Sequence, residues 1–180
     1  METTDASAVP RPAVRVWLVD DNEEIRTLVA ELLDQSGGIE CARHFSSPDA
    51  LLSTLASKPG PDVILLDVQM GERNGIDAVR PIKSLTRSTR VLMFTSCYNR
   101  DWQERAFEEG ASDYLLKSDG MERVAARIRT AAEDPDPAMA CRRGAARGTA
   151  GLSHPTPAPA THGGPRLWSR TLKVLGLLPE

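Results

Sequence analysis

The chain alternates between short, almost wholly apolar runs and longer stretches in which apolar residues recur every three or four positions. Short apolar runs bounded by polar residues predict buried β-strands, and the three-to-four spacing predicts amphipathic helices. After the first run, for example, Ile25, Leu28, Val29, Leu32 and Leu33 share one helical face. The predicted strands are residues 14–19, 39–45, 62–67, 90–95 and 112–117.

A helical stretch follows each predicted strand, and local sequence signals mark where several of these helices begin or end. Ser47 and Pro48 are typical of a helix start, because the hydroxyl caps the first free amides and proline fits the first turn. Glycines at 37–38 and 110 are typical helix ends. We expect the third helix to run only through Arg80, because Pro81 removes a backbone donor and is predicted to kink or end it. Residues 71–75 before it are predicted to form a loop.

Five strands alternating with five helices predict an α/β fold, a parallel sheet with helices on both faces. The pattern covers residues 14–132, an ordinary size for one domain. Composition changes on both sides of it. Residues 1–13 are predicted to be a disordered lead-in, 133–165 a linker rich in proline, alanine and arginine, and 166–180 a short amphipathic tail whose role stays open.

Composition excludes several classes of function. The net charge of −3 does not indicate a nucleic-acid partner for the whole chain. The three cysteines form no CxxC pair, so neither a zinc site nor a disulfide framework is indicated. No run approaches the roughly 20 apolar residues of a membrane span. The first residues lack the apolar core of a secretory signal, and we therefore expect a cytoplasmic protein.

Five polar residues stand at the carboxyl ends of four predicted strands: Asp20, Asp21, Asp67, Thr95 and Lys117. In an open parallel sheet these strand ends border one crevice, which is where such folds bind ligands. Three carboxylates, a hydroxyl and an ammonium group are therefore expected to converge there. That set of groups is suited to holding Mg²⁺ and transferring a phosphoryl group.

An aspartate can attack a phosphoryl donor and form an acyl phosphate, but it is a weak nucleophile that repels an anionic donor. A hard divalent cation offsets both problems by neutralising charge. We expect Asp20, Asp21 and Asp67 to be oxygen ligands of the cation and Asp67 to be the nucleophile. Thr95 is then placed to hydrogen-bond a phosphoryl oxygen, and Lys117 to ion-pair with the carboxylate and later the phosphate.

The order and separation of these residues carry a family resemblance. The matching positions are Asp20-Asp21, Leu65-Leu66-Asp67, Met70, Gly75, Thr95-Ser96 and Tyr114-Leu115-Leu116-Lys117. About two-thirds of the chain thus resembles the receiver domain of two-component response regulators, and residues 110–118 resemble the NarL/LuxR-type subgroup most. The resemblance implies a flavodoxin-like, doubly wound (βα)5 fold with a five-stranded parallel sheet.

The same resemblance implies roles that the residues alone do not give. Asp67 takes a phosphoryl group from a sensor histidine kinase or phosphotransfer protein. Mg²⁺ is held by Asp20, Asp21, Asp67 and the backbone carbonyl of Gln69. Thr95 and Tyr114 form the switch, and the output is altered protein contacts, with homodimerisation open. The domain is then no enzyme beyond its own phosphorylation and dephosphorylation.

Two other functions compete with this interpretation. A DNA-binding transcriptional regulator with a truncated or diverged output domain is the main alternative, since NarL-type receivers usually carry a helix-turn-helix module. The proline-broken tail shows no succession of amphipathic helices that would form one. A phosphohydrolase of the haloacid dehalogenase type needs a second aspartate two residues after the nucleophile, where this chain has Gln69.

Overall fold

The computed structural model describes residues 12–71 and 73–133. Most of the predicted lead-in and nearly all of the predicted linker and tail lie outside these residues. None of the described helices is long and apolar enough to cross a membrane. The elements are β1 (Val14–Val19), α1 (Glu23–Gln35), β2 (Ile39–Phe45), α2 (Pro48–Leu55), β3 (Val63–Leu66), β4 (Gln69–Met70), β5 (Arg73–Asn74), α3 (Ile76–Leu85), β6 (Arg90–Thr95), α4 (Arg100–Glu108), β7 (Asp113–Leu116) and α5 (Met121–Glu133).

The main sheet has five parallel strands in the order β2-β1-β3-β6-β7. The order reverses direction beside β1, as in other doubly wound sheets. The predicted flavodoxin-like fold class is therefore confirmed. The crossover helices lie on both faces, with α1 and α5 packed on one face and α2, α3 and α4 on the other.

Alternation along the strands builds the two hydrophobic clusters. In β1, Trp17 and Val19 face the α2–α4 side, while Val16 and Leu18 face the α1–α5 side. In β3 and β6 every residue is buried, which explains why β3 is apolar throughout and why β6 is apolar between Arg90 and Thr95 rather than alternating. β3 and β6 are thus the most enclosed strands of the sheet, and Asp67 and Thr95 stand at their carboxyl ends.

Helix starts follow the expected capping chemistry. The side chain of Ser47 accepts a hydrogen bond from the amide of Ala50, with Pro48 in the first turn of α2 as predicted. Asn22 and Asn99 cap α1 and α4 in the same way, accepting from the amides of Ile25 and Trp102. These caps mark where α1, α2 and α4 begin.

The prediction that the third helix ends at Arg80 is wrong. Helix α3 continues through it from Ile76 to Leu85. Pro81 is exposed, whereas Ile82 is fully buried on the same face as Val79. The burial of Ile82 and the hydrogen bond from the amide of Thr86 to its carbonyl favour continuing the helix. Packing of the apolar face thus outweighs the single donor that proline lacks.

The predicted loop over residues 71–75 is also partly wrong. Gln69–Met70 and Arg73–Asn74 pair as short antiparallel strands, β4 and β5. Gly71 takes a φ of 60° in the connection between them, a left-handed conformation that glycine adopts at little cost. The strands β3 and β7 are shorter than predicted, so Asp67 and Lys117 follow the last residue of each strand.

Candidate functional site

The polar residues named from the sequence stand at the carboxyl ends of four neighbouring strands. Asp20 follows β1, Asp67 follows β3, Thr95 ends β6 and Lys117 follows β7. Backbone hydrogen bonds extend the strand pairing to them. The amide of Asp67 donates to Val19 (2.9 Å) and that of Lys117 to Thr95 (2.8 Å). The sheet itself therefore sets the spacing of the site.

Lys117 joins the two buried carboxylates. Its Nζ atom lies 2.5 Å from Oδ2 of Asp20 and 2.8 Å from Oδ2 of Asp67. At most 7% of any of the three side chains is exposed. Ion pairs shielded from water in this way are screened little by salt, and each partner left alone would be a costly buried charge.

The second oxygen of each carboxylate accepts a backbone amide. Oδ1 of Asp20 lies 2.9 Å from the amide of Asn22, and Oδ1 of Asp67 lies 3.3 Å from that of Gln69. Arg26 adds a contact that the sequence pattern did not indicate, because its Nη1 donates to the carbonyl of Asp20 (2.7 Å). Asp20, at the start of the loop from β1 to α1, is therefore held by contacts with Asn22, Arg26 and Lys117.

Asp21 completes an acidic cluster. It is exposed, and one carboxylate oxygen from each of Asp20, Asp21 and Asp67 lies within 4.8 Å of the others. Hard divalent cations such as Mg²⁺ prefer carboxylate oxygens. Three carboxylates against the single ammonium of Lys117 leave two negative charges when all four groups are ionised. The residues present therefore fit a divalent cation. Gln69, whose backbone carbonyl is the fourth expected ligand, begins β4 two positions after Asp67.

Burial raises the pKa of Asp67 above its usual value, and the nearby carboxylate of Asp20 raises it further. The ammonium of Lys117 and the amide of Gln69 lower the pKa of Asp67, but only in part. The direction is that expected of a carboxylate enclosed at the end of a buried strand next to a second carboxylate. A group with a perturbed pKa in a strand-end crevice is a candidate for chemistry.

Thr95 and Tyr114 are connected through the backbone of Cys97. The amide of Cys97 lies 3.5 Å from Oγ1 of Thr95, and the hydroxyl of Tyr114 donates to the carbonyl of Cys97 (3.2 Å). Tyr114 is buried, and the ring of Tyr98 packs edge-on against it with 6.5 Å between centroids. Thr95 and Tyr114 were predicted from the sequence. The contacts of Cys97 and Tyr98 with them depend on the folded loop and were not predicted.

Gly75 approaches the backbone of Asp67 more closely than any side chain would allow. A Cβ atom at position 75 would lie 1.9 Å from the carbonyl oxygen of Asp67. The amide of Gly75 donates to Val68 (2.8 Å), which holds the β5–α3 junction against the end of β3. This contact explains why the glycine belongs to the site motif.

Comparison with known proteins identifies the family. A family model described as the response regulator receiver domain matches residues 16–129, well over half of the chain. The chain belongs to this family. The receiver domain is also similar to the solved signal receiver domain of the putative response regulator NarL from Mycobacterium tuberculosis. That similarity covers 68% of this chain and 98% of that structure, with 26% identity and a TM-score of 0.60.

Two curated relatives show how far the similarity extends. The transcriptional regulatory protein PdtaR of Mycobacterium tuberculosis is 38% identical over 116 residues, which are 64% of this chain and 54% of PdtaR. A protein-glutamate methylesterase/protein-glutamine glutaminase of Nocardioides sp. is 34% identical over 108 residues, 59% of this chain and 29% of that protein. The chain thus spans about half the length of PdtaR and less of the methylesterase. The receiver domain is the shared part, and this family generally signals rather than catalyses.

Proposed function

We propose that this receiver domain is the phospho-accepting component of a two-component phosphorelay, with Asp67 as the phosphoacceptor. The observation that carries the proposal is the position of Lys117, whose Nζ contacts both Asp20 and Asp67 beside the exposed carboxylate of Asp21. A buried lysine between two aspartates at the carboxyl edge of a parallel sheet has the charges for acyl phosphate formation.

Asp20, Asp21 and Asp67 are the proposed ligands of Mg²⁺, together with the backbone carbonyl of Gln69. The three carboxylates carry two more negative charges than the ammonium of Lys117 balances, and all the ligand atoms are oxygens; both features support this assignment. When bound, the cation neutralises charge on the carboxylates and on the incoming phosphoryl group. The carboxylate of Asp20 accepts the amide of Asn22, and its backbone carbonyl accepts Arg26, so both ends of the residue are held in place.

Asp67 attacks in its ionised form. An oxygen of its carboxylate bonds to phosphorus while the P–N bond of a phosphohistidine donor breaks, and the imidazole leaves and is protonated by solvent. Lys117 lowers the pKa of Asp67 against the effect of burial and thus favours the reactive carboxylate. The proposed donor is a sensor histidine kinase or a phosphotransfer protein in the cytoplasm.

Thr95 and Lys117 are the proposed contacts of the transferred phosphoryl group. The hydroxyl of Thr95 lies near the amide of Cys97, and the carbonyl of Cys97 accepts a hydrogen bond from the hydroxyl of Tyr114. A hydroxyl that turns toward the phosphoryl group would release this loop and favour a new position of Tyr114. The output is an altered protein-binding face, and homodimerisation is one form that it can take.

Phosphate-affinity electrophoresis of the full chain tests the proposal. With acetyl phosphate and Mg²⁺ we expect a retarded band that is absent without Mg²⁺ and absent in Asp67→Ala. Asp101→Ala is the matched control, because Asp101 is an exposed aspartate on α4 outside the site. A retarded band that persists in Asp67→Ala, or no band in the wild type with either acetyl phosphate or a kinase, would contradict the assignment.

A further inference from the structure

The outward side of α1 carries a row of acidic residues interrupted by one threonine. Glu23, Thr27, Glu31 and Asp34 follow at spacings of four, four and three, which places them along one line of the helix, and Glu24 lies beside it. This line is opposite the buried side of the helix, which is formed by Ile25, Val29 and Leu33. We call Glu23, Glu24, Glu31 and Asp34 the acidic face of α1.

No cation balances this face within residues 12–71 and 73–133. None of its four acids forms an ion pair there, although Oδ1 of Asp34 accepts a hydrogen bond from the amide of Cys41 (2.7 Å). Arg26, the one basic residue of α1, donates instead to the carbonyl of Asp20. Acids elsewhere on the surface are commonly paired. The pairs include Asp49 with Arg73, Asp77 with Arg105, Glu109 with Arg80 and Asp113 with Arg127.

The opposite charge is present in the same chain. Residues 137–179 contain six basic residues and no acidic one. They follow α5, which packs on the same sheet face as α1. Nη2 of Arg129 lies 2.6 Å from the carbonyl of Ser36 and 2.8 Å from that of Gly37, so the last turns of α5 lie beside the end of α1. The six are Arg142, Arg143, Arg147, Arg166, Arg170 and Lys173.

We propose that the basic segment 142–173 docks on the acidic face of α1 of its own chain. The nine residues from Glu133 to Arg142 span up to about 30 Å, whereas α1 is only about 20 Å long, so the tether reaches the whole face. A tethered segment has an effective concentration in the millimolar range, at which even weak, salt-sensitive pairing holds it in place.

Docking has a consequence that rests on the function proposed above. The amino-terminal end of the face, Glu23 and Glu24, directly follows the loop that carries Asp21. A segment bound there competes with a basic surface of a phosphodonor protein for Glu23 and Glu24.

A spin label on Cys141, next to Arg142, tests the docking in the full chain. In a Cys41→Ala/Cys97→Ser background a nitroxide is attached to Cys141, and the amide spectrum is recorded without Mg²⁺ or phosphodonor. We expect selective loss of peak intensity along α1, reversed by high salt. Because the spectrum does not depend on phosphorylation, failure of Asp67 to accept phosphate leaves this result unaffected.

Charge reversal supplies the matched comparison. Glu23→Lys/Glu31→Lys should restore the α1 peaks, whereas Asp101→Lys/Glu108→Lys, the equivalent change on exposed acids of α4, should leave the loss intact. Equal losses on α1 and α4, or losses that survive the α1 reversal, would overturn the proposal. So would losses in an unlabelled ¹⁵N chain mixed with a spin-labelled partner, since they would make a second copy the occupant.

Discussion

Replacing Lys117 with methionine removes the ammonium group but keeps most of the side-chain volume. The carboxylates of Asp20 and Asp67 then face each other in a buried site without the cation that contacts both. Removing one partner of a buried ion pair typically costs about 3–5 kcal/mol, because the remaining charge stays desolvated. For a domain of this size that corresponds to a fall in melting temperature of roughly 10–20 °C.

The loss should depend on pH, and its sign follows from Asp67. The pKa of this carboxyl is already raised in the folded protein, and Lys117 is among the groups that lower it. In Lys117→Met the folded pKa must therefore rise further above the unfolded value. The stability contributed by the protonated form is complete below the unfolded pKa and is lost as pH rises through the folded pKa. The variant should consequently be destabilised less at about pH 5 than at about pH 7, since the lower pH is nearer to the unfolded pKa of an aspartate.

Urea unfolding of wild type and Lys117→Met at both pH values, without Mg²⁺, measures the free energies. Lys58→Met is the control, because Lys58 is exposed and its loss should cost less than about 0.5 kcal/mol. A loss in Lys117→Met below about 1 kcal/mol, or one of equal size at both pH values, would refute the assignment of Lys117 as the cation that compensates two buried carboxylates.

Three further predictions concern neighbouring features. Mg²⁺ at ten times its dissociation constant should stabilise the wild type by about 1.4 kcal/mol in thermal melts, and Asp21→Asn should reduce this gain at the same Mg²⁺ concentration without lowering stability in its absence. Gly75→Ala should lose about 1–3 kcal/mol in urea unfolding, because the added Cβ meets the carbonyl oxygen of Asp67, and an unchanged midpoint would contradict the close approach. Burial and Asp34 raise the pKa of Cys41 to about 11, so near neutral pH its alkylation, followed by peptide mass spectrometry, should be about 100-fold slower than that of an ordinary thiol.

The sequence pattern was sufficient for the fold because its signals are local and repeated. The limits of β1, β2 and β6 agree with the predicted runs, and β3 and β7 differ only by residues at their ends. Once the strands are placed in a parallel sheet, Asp67 and Lys117 follow strands whose carboxyl ends border the same crevice, although β6 lies between β3 and β7. The contact between their side chains reaches across the end of β6, so it depends on the strand order as well as on the strands being parallel.

Features that depend on contacts between distant segments were not predictable in the same way. Proline carries a strong local signal, but whether a helix continues past it depends on what the following turn buries, as Ile82 shows. The β4–β5 pairing and the hydrogen bond from Arg26 to the Asp20 carbonyl depend on the placement of whole loops. In the one-dimensional pattern Arg26 is indistinguishable from any polar residue beside a helix's apolar face.

The close contact at Gly75 has a consequence for genetics. The atom that a larger side chain would meet is the backbone oxygen of Asp67, which every amino acid at that position would carry. At Gly60, by contrast, an added Cβ would lie 2.8 Å from the hydroxyl of Thr89, an atom that a second substitution can remove. A substitution at Gly60 can therefore be relieved by a second substitution at Thr89. A substitution at Gly75 cannot be relieved by any side chain at position 67, and reversion to glycine is its simplest correction.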